Sequence, residues 1–136
     1  MQPRRLTPAL ACLLLPLTLL AQDAPKAREL SPKGVKLEFT KGNLAKPKVI
    51  ASASELDRVL DDGGMLKKEI DFDKEKLVLF AWTGSGQDKL LGKADKEGKT
   101  AIFTYVPGQT RDIRRHVHLY AVPKSAEVRI DSITNK

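Results

Sequence analysis

The sequence has few of the residues that carry most catalytic, redox and metal chemistry. Its 136 residues include one cysteine, two histidines and one tryptophan, and aromatic residues make up only 5%. A single cysteine cannot pair within the chain, so a disulfide-stapled scaffold is excluded. The low aromatic content also disfavours a stacking platform for single-stranded nucleic acid. The length supports one domain of ordinary size and excludes a large multidomain enzyme.

The single cysteine, Cys12, lies in a segment that has the features of a secretory signal peptide. Two arginines form a positive head, the apolar run Leu10–Ala21 follows, and the chain then becomes polar. The run is shorter than a membrane-spanning helix requires and contains a proline. A lipid-bearing cysteine would have to end the run, but three leucines follow Cys12. We therefore predict a cleaved leader over 1–21, a periplasmic or secreted bacterial protein, and no membrane span after cleavage.

Basic residues outnumber acidic ones along the whole chain. The count is 24 lysines and arginines against 17 acids, a formal net charge of +7. Two of the arginines belong to the predicted leader, so 22 basic and 17 acidic residues remain, a net charge of +5. This balance favours an anionic partner. Because export separates the protein from most nucleic acid, we expect a protein, an acidic polysaccharide or a lipid head group instead.

Composition divides the remaining chain into a short lead-in and one domain. Residues 22–34 hold two prolines, a glycine and mostly polar side chains, which predicts a flexible tether, and residues 35–136 form the domain. Apolar alternation predicts a strand over 35–40, and 47–50 reads as a short edge strand because it begins with proline. One helix is expected next, capped by Ser52 or Ser54 and ended by Gly63 and Gly64.

The second half of the sequence predicts strands separated by turns. Lys76–Trp82 is almost entirely apolar, so we expect a central strand that is buried on both faces. Further strands are predicted over 89–94, 100–106, 113–122 and 127–133. One short helix is too small to be stable alone and must pack on the strands. The predicted class is α+β, with the helix packed on a mostly antiparallel sheet or a small open barrel.

Three segments occur in an order that resembles a known family. They are Ser54–Leu56, then Ile70–Leu79 with its Ile-Asp-Phe-Asp-Lys-Glu-Lys start, and finally Val122–Lys124. Over about residues 50–133 the chain resembles the small secreted bacterial domain typified by the C-terminal domain of the spirochaete protease-complex protein PrcB. The resemblance implies an extracytoplasmic, non-enzymatic domain that associates with partner proteins or stabilises them. It implies no catalytic residue and no cofactor.

The loop after the predicted central strand is a candidate binding element. Two glycines flank Ser85, so backbone amides in this turn are able to approach an anion closely. A hydrolase that uses Ser85 as its nucleophile is an alternative. However, the nucleophile-elbow motif requires glycine two residues before and two after the serine, and Thr83 and Gln87 occupy those positions. An ordinary strand connection is the plainer interpretation.

His116 and His118 are separated by one residue on a predicted strand. Residues at this spacing point to the same face, and Tyr120 follows them there. Two imidazoles are able to share a metal ion, which makes a metal-handling protein a second alternative. A metal site needs a further ligand, and the neighbouring Arg114 would repel a cation. We therefore predict no metal and no cofactor, and expect a solvated strand face with Val117, Leu119 and Ala121 buried on the other side.

The densest basic cluster in the predicted domain lies at the start of the same strand. Arginine forks suit carboxylate, phosphate and sulfate groups, although nearby acids such as Asp88 and Asp112 would neutralise part of the cluster. Trp82 is expected in the core, or as a stacking contact at the rim of the sheet. We predict a non-enzymatic binding domain that uses this strand face. The candidate binding residues are Trp82, Ser85, Arg111, Arg114, Arg115, His116 and His118.

Overall fold

The computed structural model describes residues 27–132, so the predicted leader and Cys12 lie outside the described residues. The chain forms an α+β fold of two short helices and two sheets that do not close into a barrel. The elements, in chain order, are β1 (Arg28–Leu30), β2 (Lys48–Ile50), α1 (Ala53–Val59), α2 (Gly64–Glu69), β3 (Glu75–Ser85), β4 (Lys89–Ala94), β5 (Thr100–Val106), β6 (Ile113–Pro123) and β7 (Glu127–Ser132). No helix among residues 27–132 is long and apolar enough to cross a membrane.

The strands form a four-stranded sheet in the order β1-β6-β3-β2 and a three-stranded sheet in the order β4-β5-β7. Every pair in the larger sheet is antiparallel, whereas β5 and β7 run parallel. The long pair of β3 and β6 forms the centre of the molecule, with a continuous register from Glu75 opposite Pro123 to Ser85 opposite Ile113. The predicted mostly antiparallel sheet is therefore confirmed, and β2 is an edge strand as expected.

Strand β3 is buried on both faces, as its apolar run predicts, because a separate core packs on each face. Leu77 and Leu79 contact a helix-side core that includes Leu56 and Val59 of α1. The alternate residues of β3 belong to a second core, the sheet-side core, which lies between the larger sheet and the smaller sheet. The sheet-side core contains Val78, Phe80, Trp82, Leu90, Ala101, Phe103, Tyr120, Val122 and Ala126. The fold thus has three layers, with the larger sheet in the middle.

The segment predicted as a tether contains a strand. Residues 22–26 lie outside the described residues, but β1 pairs with β6, and Leu30 is buried in the helix-side core. Arg28 also donates to the Glu75 carboxylate at 3.3 Å. A three-residue strand has too little pattern to be seen in the sequence, and its partner lies about 90 positions further along the chain. Tertiary pairing therefore orders a segment whose composition favours a loop.

The strand predicted over 35–40 is wrong, since Leu37–Thr40 forms a 3₁₀ helix. Val35 makes only an isolated bridge to Leu60, and the Lys36 amide donates to the Val59 carbonyl at 2.9 Å. Val35 and Phe39 both pack against the helix-side core. Val35 reaches this core from the extended backbone before the helix, and Phe39 reaches it from the helix itself. Apolar spacing alone did not distinguish this arrangement from a strand.

The prediction of a single helix ended by two glycines is also wrong. Ser52 caps α1 as expected, since its hydroxyl accepts from the Glu55 amide at 3.3 Å. The helix stops at Val59, before the glycines, because Leu60 turns to extended backbone and bridges to Val35. Gly64 instead begins α2, and both glycines have negative φ angles rather than the left-handed conformation of a helix stop.

Candidate functional site

Antiparallel pairing gathers the predicted binding residues at one end of the β3–β6 pair. Trp82 faces His116, Thr83 faces Arg115 and Gly84 faces Arg114 across the two strands. Arg111 lies in the loop that leads into β6. We call the outer part of this region the basic end, defined as Thr83–Ser85 of β3, Ile113–Arg115 of β6, and Arg111. The pairing brings residues from positions 82–85 and 111–118 into one region, which the sequence alone could not show.

The single tryptophan forms an aromatic stack with the two histidines just inside the basic end. Trp82 is 5% exposed, and its ring centroid lies 4.8 Å from that of His116 and 5.2 Å from that of His118. All three rings are nearly parallel, with interplanar angles of 11° to 14°. The predicted shared face of His116, His118 and Tyr120 is thus observed, with Leu119 and Ala121 buried on the other side. The imidazoles are half-buried against indole rather than freely solvated.

Both imidazoles already contact protein atoms through a ring nitrogen. His116 Nε2 lies 2.7 Å from the Ser85 carbonyl oxygen, so this nitrogen carries the proton and donates. His118 Nδ1 lies 2.7 Å from a carboxylate oxygen of Glu29 on β1. Among residues 27–132, no group of three or more histidine, cysteine, aspartate or glutamate side chains is arranged to hold a metal ion. The contacts of His116 and His118 serve to join β6 to β3 and to β1.

Asp88 is a buried carboxylate that the sequence analysis treated only as a neutralising acid. It accepts hydrogen bonds from Trp82 Nε1 at 3.0 Å, the Tyr105 hydroxyl at 3.0 Å and the Gly108 amide at 2.7 Å. Burial opposes ionisation, but these hydrogen bonds and the nearby His116 outweigh it and lower the pKa of Asp88. The sequence did contain a signal for this role, because the N–H of a buried tryptophan usually needs a hydrogen-bond acceptor, and Asp88 lies six residues after Trp82.

The loop amides predicted to cradle an anion are partly occupied by a carboxylate of the chain itself. The Gly86 amide donates to Asp112 Oδ1 at 3.3 Å, and Arg114 Nε donates to Asp112 Oδ2 at 2.8 Å. Hydrogen bonding from Thr110, helped by Gly86 and Arg114, outweighs the opposing effect of burial and lowers the pKa of Asp112. The expectation that nearby acids neutralise part of the basic cluster therefore describes Arg114 well.

Ser85 connects the two loops beside the basic end. Its hydroxyl lies 2.7 Å from the Thr110 hydroxyl and accepts from the backbone amides of Gln87 and Thr110. His116 contacts the Ser85 carbonyl oxygen, not the hydroxyl. An activated serine needs a base within hydrogen-bond reach of its hydroxyl. The observed contacts instead hold the loop before β6 against the end of β3.

The basic end presents arginines on both faces of a ribbon only two strands wide. Arg114 lies on the Trp82 face, and Arg115 lies on the opposite face, where it donates to the Thr40 hydroxyl at 3.4 Å. Ile113 is 78% exposed between them and Arg111. Ile113 was not identified as a site residue from the sequence. An apolar residue that alternates with charged residues along a strand usually lies on the buried face. The combination is an exposed apolar side chain on the same face as Arg115, next in sequence to Arg114 on the other face and two residues from Arg111.

Comparison of the chain with protein-family models, with curated proteins and with solved structures found no match.

Proposed function

We propose that the chain is an exported, non-enzymatic binding domain that holds an anionic partner, most favourably an acidic protein surface, at its basic end. The observation that carries this proposal is the exposed Ile113 among Arg111, Arg114 and Arg115. Arginine is enriched at the energetic centres of protein interfaces, which also bury apolar side chains. The resemblance to a secreted partner-binding domain and the predicted leader support the same function and a periplasmic or secreted location.

The arginines keep donors that are directed away from their internal partners. Arg114 contacts Asp112 through Nε, and 70% of its side chain is exposed. Arg115 contacts a neutral hydroxyl at a long distance, so its charge is not balanced there. Guanidinium groups of this kind bind carboxylates through two parallel hydrogen bonds. The basic end is therefore suited to carboxylates presented by a partner.

An apolar anchor favours a protein over a polysaccharide as the partner. The Ile113 side chain gains free energy only where a partner covers it with apolar atoms. Acidic polysaccharides offer charge with little apolar surface, whereas protein surfaces offer both. An acidic surface with a shallow apolar depression would satisfy both features of the basic end.

The structure below the basic end holds it in one conformation. Asp88 ties β3 to β5 through Trp82 and Tyr105, and it also binds the Gly108 amide of the loop before β6. Ser85 adds contacts to the same loop through Thr110. Binding costs less conformational entropy when the binding groups are already ordered. These buried polar contacts are consistent with a preorganised interaction surface.

The experiment uses labelled poly-L-glutamate as a model anionic polypeptide, with binding followed by fluorescence anisotropy. We expect the purified protein to bind it, and the affinity to fall steeply with salt because exposed charges are screened. The Arg114→Glu and Arg115→Glu double variant should bind at least about tenfold more weakly, equivalent to about 1.4 kcal/mol. Lys93→Glu with Lys96→Glu makes the same charge change at exposed positions near the β4–β5 turn.

The control separates a local surface from overall charge. If the two double variants lose affinity equally, net charge explains the binding and the basic end is not the site. If the protein does not bind poly-L-glutamate even at low salt, the proposal of an anionic polypeptide partner is wrong. The single tryptophan offers a second readout, since its ring stacks on His116 beside the basic end.

A further inference from the structure

Strand β6 has one edge that is only partly covered. On one side, β3 pairs with all of β6 from Ile113 to Pro123. On the other side, β1 pairs only with Leu119, Tyr120 and Ala121. Within residues 27–132, the segment 113–118 has no strand neighbour on that side. This edge of β6 is therefore unpaired over six consecutive residues, of which Ile113–Arg115 are exposed and His116–His118 are half-buried.

The chain itself explains why β1 ends there. Continuing the register past Leu30 would place Ser31 and Pro32 beside His118 and Val117. Proline has no amide hydrogen for the ladder. The Val35 amide donates to the Pro32 carbonyl, and Gly34 adopts a φ of +82°, so the chain turns away toward α1. Because of this turn, β1 does not continue beside β6, and within residues 27–132 the segment 113–118 is not paired on this side.

The hydrogen-bond pattern shows which residues of β6 face this edge. Lys124 donates to the Lys74 carbonyl at one end of the ladder, and Gly86 donates to the Asp112 carbonyl at the other. In an antiparallel pair, hydrogen-bonded positions alternate with non-bonded ones. Lys124 and Asp112, which form these hydrogen bonds, are both even-numbered. The even-numbered residues of β6 between them therefore form the backbone hydrogen bonds to β3. The odd-numbered ones direct their N–H and C=O groups to the open edge; these are Ile113, Arg115 and Val117.

A strand with free N–H and C=O groups is a template for another extended segment. Side chains beside this edge carry positive charge on both faces, because Arg114 and Arg115 point to opposite sides of the sheet. His118 already faces a carboxylate, Glu29, which is supplied by β1. The existing neighbour of β6 is thus an extended segment that places one acidic side chain, Glu29, against a side chain of β6.

We propose that the open edge of β6, residues 113–118, accepts an extended acidic segment of a protein partner as an added strand next to β1. This inference rests on the proposed function and specifies its binding mode. Main-chain hydrogen bonds from Ile113, Arg115 and Val117 supply the pairing, and Arg114 and Arg115 select acidic side chains on the two faces. The length of the added strand is limited by Asp112 at one end of the open edge and by Leu30 of β1 at the other.

The test compares two labelled eight-residue peptides with the repeat Glu-Glu-Val-Val, in which neighbouring glutamates point to opposite faces of an extended strand. One has ordinary peptide bonds, and its twin is methylated at every peptide nitrogen, so it keeps the carboxylates and loses all backbone donors. We expect the ordinary peptide to bind at least tenfold more tightly. Amide hydrogen exchange, measured residue by residue by NMR, should slow on binding at Ile113, Arg115 and Val117. Exchange at Arg114 and His116, which already bond to β3, should change far less.

The outcomes separate this inference from the proposed function. If both peptides bind equally, or the three amides gain no protection, strand addition is wrong and a purely electrostatic surface remains. Failure of the ordinary peptide to bind under conditions where poly-L-glutamate binds also overturns strand addition. Failure of both probes overturns the proposed function. If the three amides are protected without peptide in a concentration-dependent way, the edge pairs with a second copy of this chain, and the acidic segment is the wrong occupant.

Discussion

The two ends of the β3–β6 pair have the same backbone geometry but opposite environments. At one end, which we call the covered end, β1 and β2 flank the pair, and Leu77, Leu79 and Leu119 are at most 2% exposed. At the basic end the sheet is two strands wide, and Ile113 is 78% exposed. A continuous ladder joins the ends, so a well-packed region holds an exposed one in a fixed orientation. Stability and accessibility are therefore provided by different parts of the same strands.

The largest effect on the free energy of unfolding is expected from truncating a core side chain at the covered end. Leu119→Ala removes a fully buried side chain and leaves a cavity, so the free energy of unfolding should fall by about 2–5 kcal/mol. Ile113→Ala, on the same strand, should change it by less than about 0.5 kcal/mol, because Ile113 packs on little. Urea unfolding of both variants measures the contrast. Comparable losses would show that the basic end is also part of the stabilising core.

High pH should destabilise the folded protein at the covered end by deprotonating Tyr120. Burial, together with the nearby Glu29 carboxylate, raises the pKa of Tyr120 to about 12. Because the folded pKa lies above the usual value of about 10, the neutral phenol is favoured by folding. Its contribution is fully present below pH 10, and a loss on the order of 2 kcal/mol should develop as the pH rises toward 12.

Urea unfolding as a function of pH, with Tyr120→Phe as the control, tests this assignment. The variant is less stable at neutral pH, since it loses the hydrogen bond to the Leu90 carbonyl. Its further loss between pH 10 and 12 should be smaller than that of the original protein. Part of the loss should remain, because burial and Asp88 also raise the pKa of Tyr105. Equal alkaline losses in both proteins would contradict a role for Tyr120.

Asp88 lies between the two ends, and its removal should have an intermediate effect. Asp88→Asn keeps the shape but replaces one acceptor oxygen with a donor. Either Trp82 and Tyr105, which share Oδ2, or the Gly108 amide, which donates to Oδ1, then loses its acceptor. We expect a loss of about 1–2 kcal/mol. The variant should also be less sensitive to acid, since the lowered pKa of Asp88 contributes stability above about pH 4 that disappears on protonation. Asp112→Asn, at a more exposed carboxylate, should cost less than half as much.

The smallest effect on stability is expected at the basic end itself. Arg114→Glu with Arg115→Glu should change the free energy of unfolding by no more than about 0.5–1 kcal/mol, because the arginines are exposed and one surface ion pair is lost. Urea unfolding and the spectrum of Trp82 check this. A much larger loss would mean that any binding defect of the double variant reflects unfolding, and it would remove the contrast between the ends.

The strands of the second half could be predicted closely from the sequence. Strands β4 and β5 begin and end where their patterns place them, and β6 differs by one residue. These segments combine apolar or β-branched runs with strong turn signals, so local chemistry was sufficient. Most errors lie in the first half, at β1, at Leu37–Thr40 and at α2, where short segments depend on distant partners. The central strand was also predicted to end at Trp82, but pairing with β6 extends β3 to Ser85, so Thr83–Ser85 are strand and not loop.

The candidate site was predictable in its residues but not in its geometry. Alternation correctly placed His116 and His118 on one face, and it separates Arg114 from Arg115. It could not show that Trp82 stacks on both imidazoles, or that Asp88 is buried beneath them. Those contacts connect strands and loops, and no local pattern specifies them. The exposed Ile113 was missed for the same reason, since exposure depends on which neighbours cover a strand.

Local sequence patterns were sufficient to predict the class of the fold, the central buried strand, the capped start of α1 and the concentration of positive charge around the start of β6. Local physical chemistry explains each of them, through side-chain periodicity, capping hydrogen bonds and composition. Tertiary structure alone decided that β1 joins the sheet, that two cores lie on opposite faces of β3, and that 113–118 keeps an open edge. Pairing joins residues about 90 positions apart, and its free energy depends on contacts that exist only once the chain has folded.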